Sequence, residues 1–285
     1  MLAIDLGIFN KKAHSIKNKE ALMWSGIWIS LALIFNAGVF YFLGNQKGLE
    51  FLTGYVLEYS LSVDNIFVFV LLLTYFKVPT RYQHKVLFWG IIGAFIMRGI
   101  LIAIGASLII HFHFVIIIFG VFLVVTGVRM AFQKSDKIQP NKNPIVKFIR
   151  KVFPISDEYV KGKFFVRMKS GIMATPLLIV LVIVETTDLV FALDSIPAIL
   201  AITQDTFIVF TSNAFAILGL RSLYFALAGL IDKFRYLKFG LSVVLTFIGI
   251  KMLLTDFVHI STISSLMIIT IVLGLSILIS FVRNK

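Results

Sequence analysis

Eight long apolar stretches alternate with shorter polar segments along the chain. As α-helices, stretches of this length can cross a hydrocarbon core of about 30 Å. They cover about 21–43, 50–76, 86–110, 112–132, 174–202, 206–229, 239–256 and 262–282. The pattern therefore predicts an all-α, polytopic membrane protein with about eight transmembrane helices.

The polar segments divide the chain into unequal parts. Residues 1–19 are predicted to be a cytoplasmic stub: nine apolar residues at its start are too few to span a membrane, and the small-residue cleavage site of a signal peptide is missing. Residues 20–285 are predicted to form a single transmembrane domain. The long basic loop, 133–170, separates its halves, and within the loop the apolar and basic residues of 144–154 suit a helix lying on an anionic membrane surface.

Composition and charge agree with this organisation. The chain is 59% hydrophobic and 14% charged, with a formal net charge of +13. Lysines and arginines concentrate on one side of the predicted bundle, while the opposite loops hold only Lys47. Because basic loops stay in the cytoplasm, we expect a multi-pass protein of the bacterial inner membrane with both termini cytoplasmic. Topology explains the charge and the sequence indicates no basic groove, so the lipid bilayer is an expected partner and nucleic acid is not.

Two acid-bearing helices repeat one pattern. An acid, five residues, an aspartate, a small polar residue and isoleucine follow one another in 58–66 and again in 188–196. Later positions also correspond, Arg98 with Arg221 and Gly127 with Gly249. Three helices per repeat is an odd number, so the second repeat, about 174–256, should be inverted relative to the first, about 50–132.

The repeated acids predict a cation site near the membrane midplane. Each acid inside lipid costs about 3 kcal/mol on insertion scales, so four at matching positions need a function. Six residues turn an α-helix by about 240°, so both acids of one helix can reach one ion only if the helix breaks. We therefore expect an unwound turn in each, helped by Pro197 in the fifth predicted helix. The predicted oxygen ligands are Glu58, Asp64, Asn65, Glu185, Asp188, Asp194 and Ser195.

Ligand chemistry narrows the ion. Carboxylate, amide and hydroxyl oxygens in a chain without cysteine favour manganese, magnesium, calcium or ferrous iron over zinc, copper or cadmium. The five acids and two arginines leave three negative charges, which one divalent ion and one proton would neutralise. We therefore predict a transporter exchanging protons for the metal. No catalytic constellation or cofactor motif is present, so neither an enzymatic activity nor a bound cofactor is expected.

Four segments carry a resemblance to a known family. Residues 51–65, 184–198, 211–221 and 247–252 resemble the TerC family, especially its Alx-type members, and the resemblance covers about 20–282. It implies a relative of the LysE-type transporter superfamily with manganese export as its activity. It also implies a name derived from tellurium resistance and, in some members, metal loading of secreted proteins. Alx-type members begin with a full helix, and this chain is expected to start inside it.

The resemblance implies a metal role for all five acids: Glu58, Asp64, Glu185, Asp188 and Asp194.

Several alternatives stay open at this point. The acids could form a structural ion-pair network with Arg98 and Arg221, and each arginine could serve as a counter-ion or as a gate. The chain could be a non-transporting partner for metal loading or secretion. An oxyanion transporter is disfavoured because acids outnumber arginines. The sequence leaves open the choice among Mn²⁺, Fe²⁺ and Ca²⁺, the direction of transport and homo-oligomer formation.

Overall fold

The computed structural model describes residues 18–112, 114–132, 144–156, 158–160, 162–168, 171–227, 236–255, 257–258 and 260–283. These residues form helices and one antiparallel hairpin. In chain order the elements are α1 (Asn18–Leu43), α2 (Asn45–Tyr75), α3 (Thr80–His111), α4 (Phe114–Phe132), α5 (Pro144–Val152), β1 (Phe165–Met168), β2 (Gly171–Ala174), α6 (Pro176–Leu200), α7 (Thr206–Leu227), α8 (Leu237–Leu253) and α9 (Thr262–Arg283). Of the predicted stub, 1–19, only the last two residues are described, and they begin α1.

Six helices are long and apolar enough to cross a membrane: α1, α2, α3, α4, α6 and α9. The all-α, polytopic fold is thereby confirmed. The count of eight crossings stays a prediction, because α7 and α8 are not among the six. In α7 the apolar part ends at Leu220, just before Arg221, and α8 has only 17 residues.

A single glycine connects α1 to α2. Gly44 has a φ of 89°, a left-handed conformation that side chains other than that of glycine rarely adopt. It lets α1 end at Leu43 and α2 begin at Asn45. Gly48 then packs directly on the ring of Phe40, so the two helices lie close together from the first turn of α2.

Glycines also bring α4 and α8 into backbone contact. A Cβ on Gly249 would lie 2.7 Å from the carbonyl oxygen of Gly120, and one on Gly127 would lie 2.8 Å from that of Ser242. The helices therefore cross antiparallel, with small residues at the contact. Helices related by an inverted repeat that equates Gly127 with Gly249 would meet in this way. The contact is consistent with the repeat, which stays a prediction.

The chain between α4 and α6 contains a short helix and the hairpin. In α5, Val146 is fully buried against the bundle, whereas Lys147, Phe148, Lys151 and Val152 are exposed. The β1–β2 hairpin pairs Phe165 to Met168 with Gly171 to Ala174 and leads directly into α6. A helix within 144–154 is thus confirmed, and its contact with lipid stays a prediction.

Candidate functional site

A buried ion cluster lies where α2, α3 and α6 meet. Arg98 of α3 donates two hydrogen bonds to Asp188 of α6, from Nε to Oδ2 at 3.1 Å and from Nη2 to Oδ1 at 3.0 Å. Its Nη1 pairs with Oε1 of Glu58 in α2. All three side chains are at most 3% exposed. One guanidinium thus joins carboxylates that the sequence assigns to different halves of the protein.

Asn65 extends this cluster along α2. In the amide orientation that satisfies both of its polar atoms, its oxygen accepts from Nη2 of Arg98 at 3.2 Å. Its nitrogen donates to the carbonyl of Leu61, also at 3.2 Å. Seven residues are about two helical turns, so Asn65 and Glu58 lie on one face of α2. Two of the predicted ligands therefore do meet at one point.

Among the described residues, the cluster holds more acidic than basic side chains. Its two carboxylates face one guanidinium, and Oε2 of Glu58 is buried without a hydrogen-bond partner among the described residues. Buried carboxylate oxygens are normally paired. An unpaired one marks a position where a further donor or a cation could bind.

The predicted helix breaks are wrong. Both α2 and α6 are continuous through their acid-bearing segments. Pro197 lies in the last turn of α6, which ends at Leu200, so the donor that it lacks affects only the carbonyl near Leu193. The helix continues through Pro197 to Leu200, so the loss of one hydrogen bond does not unwind the segment before it.

Because α6 stays regular, its two aspartates point to different neighbours. Asp188 faces Arg98, whereas the half-buried carboxylate of Asp194 is hydrogen-bonded by Thr126 of α4. Ser195, seven residues after Asp188, lies on the same face as Asp188 and is buried, and its hydroxyl has no partner in the described part of the chain. Asp188 and Ser195 thus share a face, and Asp194 lies on another.

Glu185 lies one turn before Asp188 but does not contact Arg98. Glu185 is half-buried, and its carboxylate contacts Gly93 of α3. A Cβ atom at position 93 would overlap with this carboxylate. Its Oε2 atom is buried and unpaired among the residues that the structure places. Glu185 is therefore a second acid beside the cluster, close to Asp188, and no ion pair with it is found among the described residues.

The remaining predicted ligand, Asp64, lies in α2, and Arg221 lies in α7. Both side chains are outside the described part of the structure. Among the described residues, no three acidic or histidine side chains lie close enough to hold a metal ion. The structure thus joins Glu58, Asn65 and Asp188 through Arg98, whereas the role of all seven residues as metal ligands stays a prediction.

Sequence reasoning names one residue of the site only within an alternative and misses another. The alternative of a structural ion-pair network includes Arg98, and the structure places its side chain at the centre of the cluster, paired with Glu58 and Asp188. Ser62 was not singled out, yet it is fully buried one turn after Glu58, with a hydroxyl lacking a partner among the described residues. The four-residue spacing from Glu58 places Ser62 on the same helix face, and that spacing was the signal.

Comparison with known proteins gives the chain a family. Residues 43–285 match the integral membrane protein TerC family. An uncharacterized membrane protein of Myxococcus xanthus is 50% identical over 285 residues, which are 100% of this chain and 89% of the relative. A protein of Photorhabdus laumondii named putative membrane-bound redox modulator Alx is 44% identical over 294 residues, 100% of this chain and 92% of the relative. No solved structure is a significant match.

An Escherichia coli K12 protein with the same Alx name is 45% identical over 289 residues, 98% of this chain and 90% of the relative. These similarities extend over nearly the full length on both sides and confirm the resemblance carried by the acid-bearing segments. The chain therefore belongs to the TerC family of integral membrane proteins.

Proposed function

We propose that this chain exports a hard divalent cation, Mn²⁺ foremost, from the cytoplasm across the bacterial inner membrane, with both termini cytoplasmic. The observation that carries the proposal is the buried pair of carboxylates, Glu58 and Asp188, which shares the single guanidinium of Arg98. Two acids placed inside lipid and balanced by one base indicate an ion pathway more often than a scaffold.

In this proposal Arg98 stands in for the transported cation. Its donors occupy one oxygen of Glu58 and both oxygens of Asp188. A divalent ion that displaced it would match the charge of two ionised carboxylates, whereas one guanidinium matches only one of them. The amide oxygen of Asn65 lies within reach of the same position and would supply a further hard ligand.

Proton exchange would use two acids outside the cluster. Glu185 and Asp194 are half-buried carboxyl groups that do not contact Arg98. Each is a group that could take up a proton after the metal has left. This division gives Glu58 and Asp188 the ion and gives the neighbouring acids the return step.

The name of the Alx relatives is compatible with this proposal. Those proteins are called putative membrane-bound redox modulators. This chain has no cysteine, so thiol–disulfide exchange is not open to it. Export of a redox-active cation such as Mn²⁺ or Fe²⁺ would alter redox conditions without any redox group in the protein.

Manganese content in a bacterial strain lacking its own exporters tests the proposal. We expect the intact chain to lower cellular manganese and to restore growth in excess manganese. The double variant Glu58→Gln/Asp188→Asn should do neither at equal membrane abundance. Glu158→Gln is the matched control, because Glu158 is exposed and lies in the loop before the β1–β2 hairpin.

If manganese stays unchanged even with the intact, membrane-inserted chain, the exporter is excluded. The non-transporting metal-loading partner then becomes the better account.

A further inference from the structure

A second ion cluster lies at the end of the bundle where α2 begins and α6 ends. Lys47 Nζ is 3.1 Å from Oε2 of Glu50 and 3.0 Å from Oδ2 of Asp205. Lys47 and Glu50 belong to the first turns of α2, and Asp205 belongs to the segment between α6 and α7. Lys47 therefore bridges the two halves of the protein, as Arg98 does at the centre.

Neighbouring polar groups hold Glu50 in place. Glu50 is 7% exposed; its Oε2 accepts from the Thr203 hydroxyl at 2.6 Å and its Oε1 from the Gln46 amide at 2.9 Å. Gln46 also donates to the hydroxyl of Thr262, at the start of α9, at 3.1 Å. The network thus ties α2 to the α6–α7 segment and to α9 at one end of the bundle.

The cluster borders a cavity of about 550 Å³ lined by Lys47, Glu50 and residues 200–205. The cavity lies against α2 and α6, the two helices that carry the buried carboxylates of Glu58 and Asp188. At 1.5 Å per residue, Glu50 is about 12 Å along α2 from Glu58, and Leu200 is about 18 Å along α6 from Asp188. The cavity therefore lies where α2 begins and α6 ends, and the same two helices carry Glu58 and Asp188 further along.

Charge and exposure suit this cluster to opening and closing. Lys47 is the only lysine or arginine that the sequence places in the loops opposite the basic ones. Its side chain is 34% exposed and that of Asp205 is 32% exposed. Water screens the contact between Lys47 and Asp205, so this ion pair is weak and can break at little cost in free energy.

We propose that Lys47, Glu50 and Asp205 form a gate that closes the cation path at the end away from the basic loops. This proposal rests on the proposed function. A cation leaving the central site competes with Lys47 for Glu50 and Asp205. Loss of the bridge frees the start of α2 from the α6–α7 segment, and Lys47 closes the gate again once the ion has left.

A distance measurement tests the closing role without transport. The chain has no cysteine, so spin labels at Asn45→Cys and Thr206→Cys, both exposed positions flanking the cluster, are the only labels present. We expect one narrow distance in the metal-free chain. Lys47→Gln breaks the ion pair and should raise the fraction of longer distances, by about fivefold at most because the pair is partly exposed. Lys47→Arg keeps the positive charge and should leave this fraction unchanged. An identical distribution in the Lys47→Gln chain would overturn the gate.

Cross-linking then tests the gate during transport. In Lys47→Cys/Asp205→Cys, a short reversible bis-thiosulfonate reagent should lower Mn²⁺ efflux from vesicles by about tenfold, because release needs the two segments to separate. Reductant should restore efflux, and each single-cysteine variant should be insensitive. Unchanged efflux after verified cross-linking overturns the gate and leaves the proposed function standing. If the intact chain, with Lys47 and Asp205 in place, shows no Mn²⁺ efflux from the same vesicles, the proposed function fails instead, and the spin-label distances still decide the closing role.

Discussion

Two ion clusters join the same halves of this protein in different surroundings. At the centre, the side chains of Glu58, Arg98 and Asp188 are at most 3% exposed. At one end of the bundle, Lys47 and Asp205 are about one-third exposed. The two ion pairs therefore contribute differently to stability. Removing one partner from the buried cluster leaves a buried charge unpaired, whereas water screens the pair between Lys47 and Asp205. Burial suits the first to specific ion binding and the second to reversible opening.

The largest expected effect comes from breaking the central cluster. Arg98→Met removes the one base that the described residues place against the buried carboxylates of Glu58 and Asp188, and it should destabilise the protein by about 3–5 kcal/mol. Thermal unfolding of the purified protein in detergent measures the loss. Adding Glu58→Gln and Asp188→Asn to Arg98→Met removes the unpaired charges and should recover much of the stability. A triple variant no more stable than Arg98→Met would contradict this account of the cluster.

The difference between buried and exposed positions can also be tested by substituting uncharged residues. A side chain at Gly249 would meet the carbonyl oxygen of Gly120 at 2.7 Å, so Gly249→Val should separate α4 from α8 and cost about 1–3 kcal/mol. Gly274→Val in α9 is the matched control, because no described atom other than its chain neighbours and the local backbone of its own helix lies within 4 Å of an added Cβ. Equal unfolding temperatures for the two variants would show that the close crossing does not contribute to stability.

The exposed face of α5 should show an intermediate effect. Phe148 and Val152 lie on it beside Lys147 and Lys151, and each lysine near an anionic surface contributes about 1 kcal/mol. A spin label at Phe148→Cys should be reached by oxygen more readily than by a water-soluble nickel chelate in vesicles of anionic lipid. Lys147→Gln/Lys151→Gln should weaken this immersion, and a label at Glu158→Cys should stay in water. Equal access of both relaxants at 148 would exclude the membrane contact.

The smallest effect is expected from acid at the outer cluster. Burial raises the pKa of the Asp205 carboxyl, but hydrogen bonds from Lys47 and from the backbone of α7 outweigh it and hold the pKa below its usual value of 3.8. The pKa of Asp205 is lower in the folded chain than in the unfolded chain. Its contribution to stability is therefore fully present above about pH 5 and is lost as the pH falls through the pKa of the folded chain. The label distance between 45 and 206 should stay constant from pH 8 to about pH 5 and lengthen only in stronger acid. A change between pH 8 and pH 6 would contradict this assignment.

The sequence predicted the membrane class, the eight apolar helices α1–α4 and α6–α9, and the acids of the buried cluster, because apolar length and intramembrane charge are local signals. It predicted helix breaks that do not occur, since it paired residues six apart instead of seven. Asn65 follows Glu58, and Ser195 follows Asp188, at two full turns, which places each pair on one helix face. The contact of Arg98 with both acids depends on how α2, α3 and α6 pack, and no spacing along one chain contains that information.

Mn²⁺ binding to the purified protein tests the central claim most directly. Free Mn²⁺ gives a six-line electron paramagnetic resonance signal that weakens when the ion is bound. The account predicts saturable loss of this signal with the intact chain and with Glu158→Gln, and none with folded Glu58→Gln/Asp188→Asn. Equal loss of signal with the double variant would show that the two buried carboxylates are not the cation site.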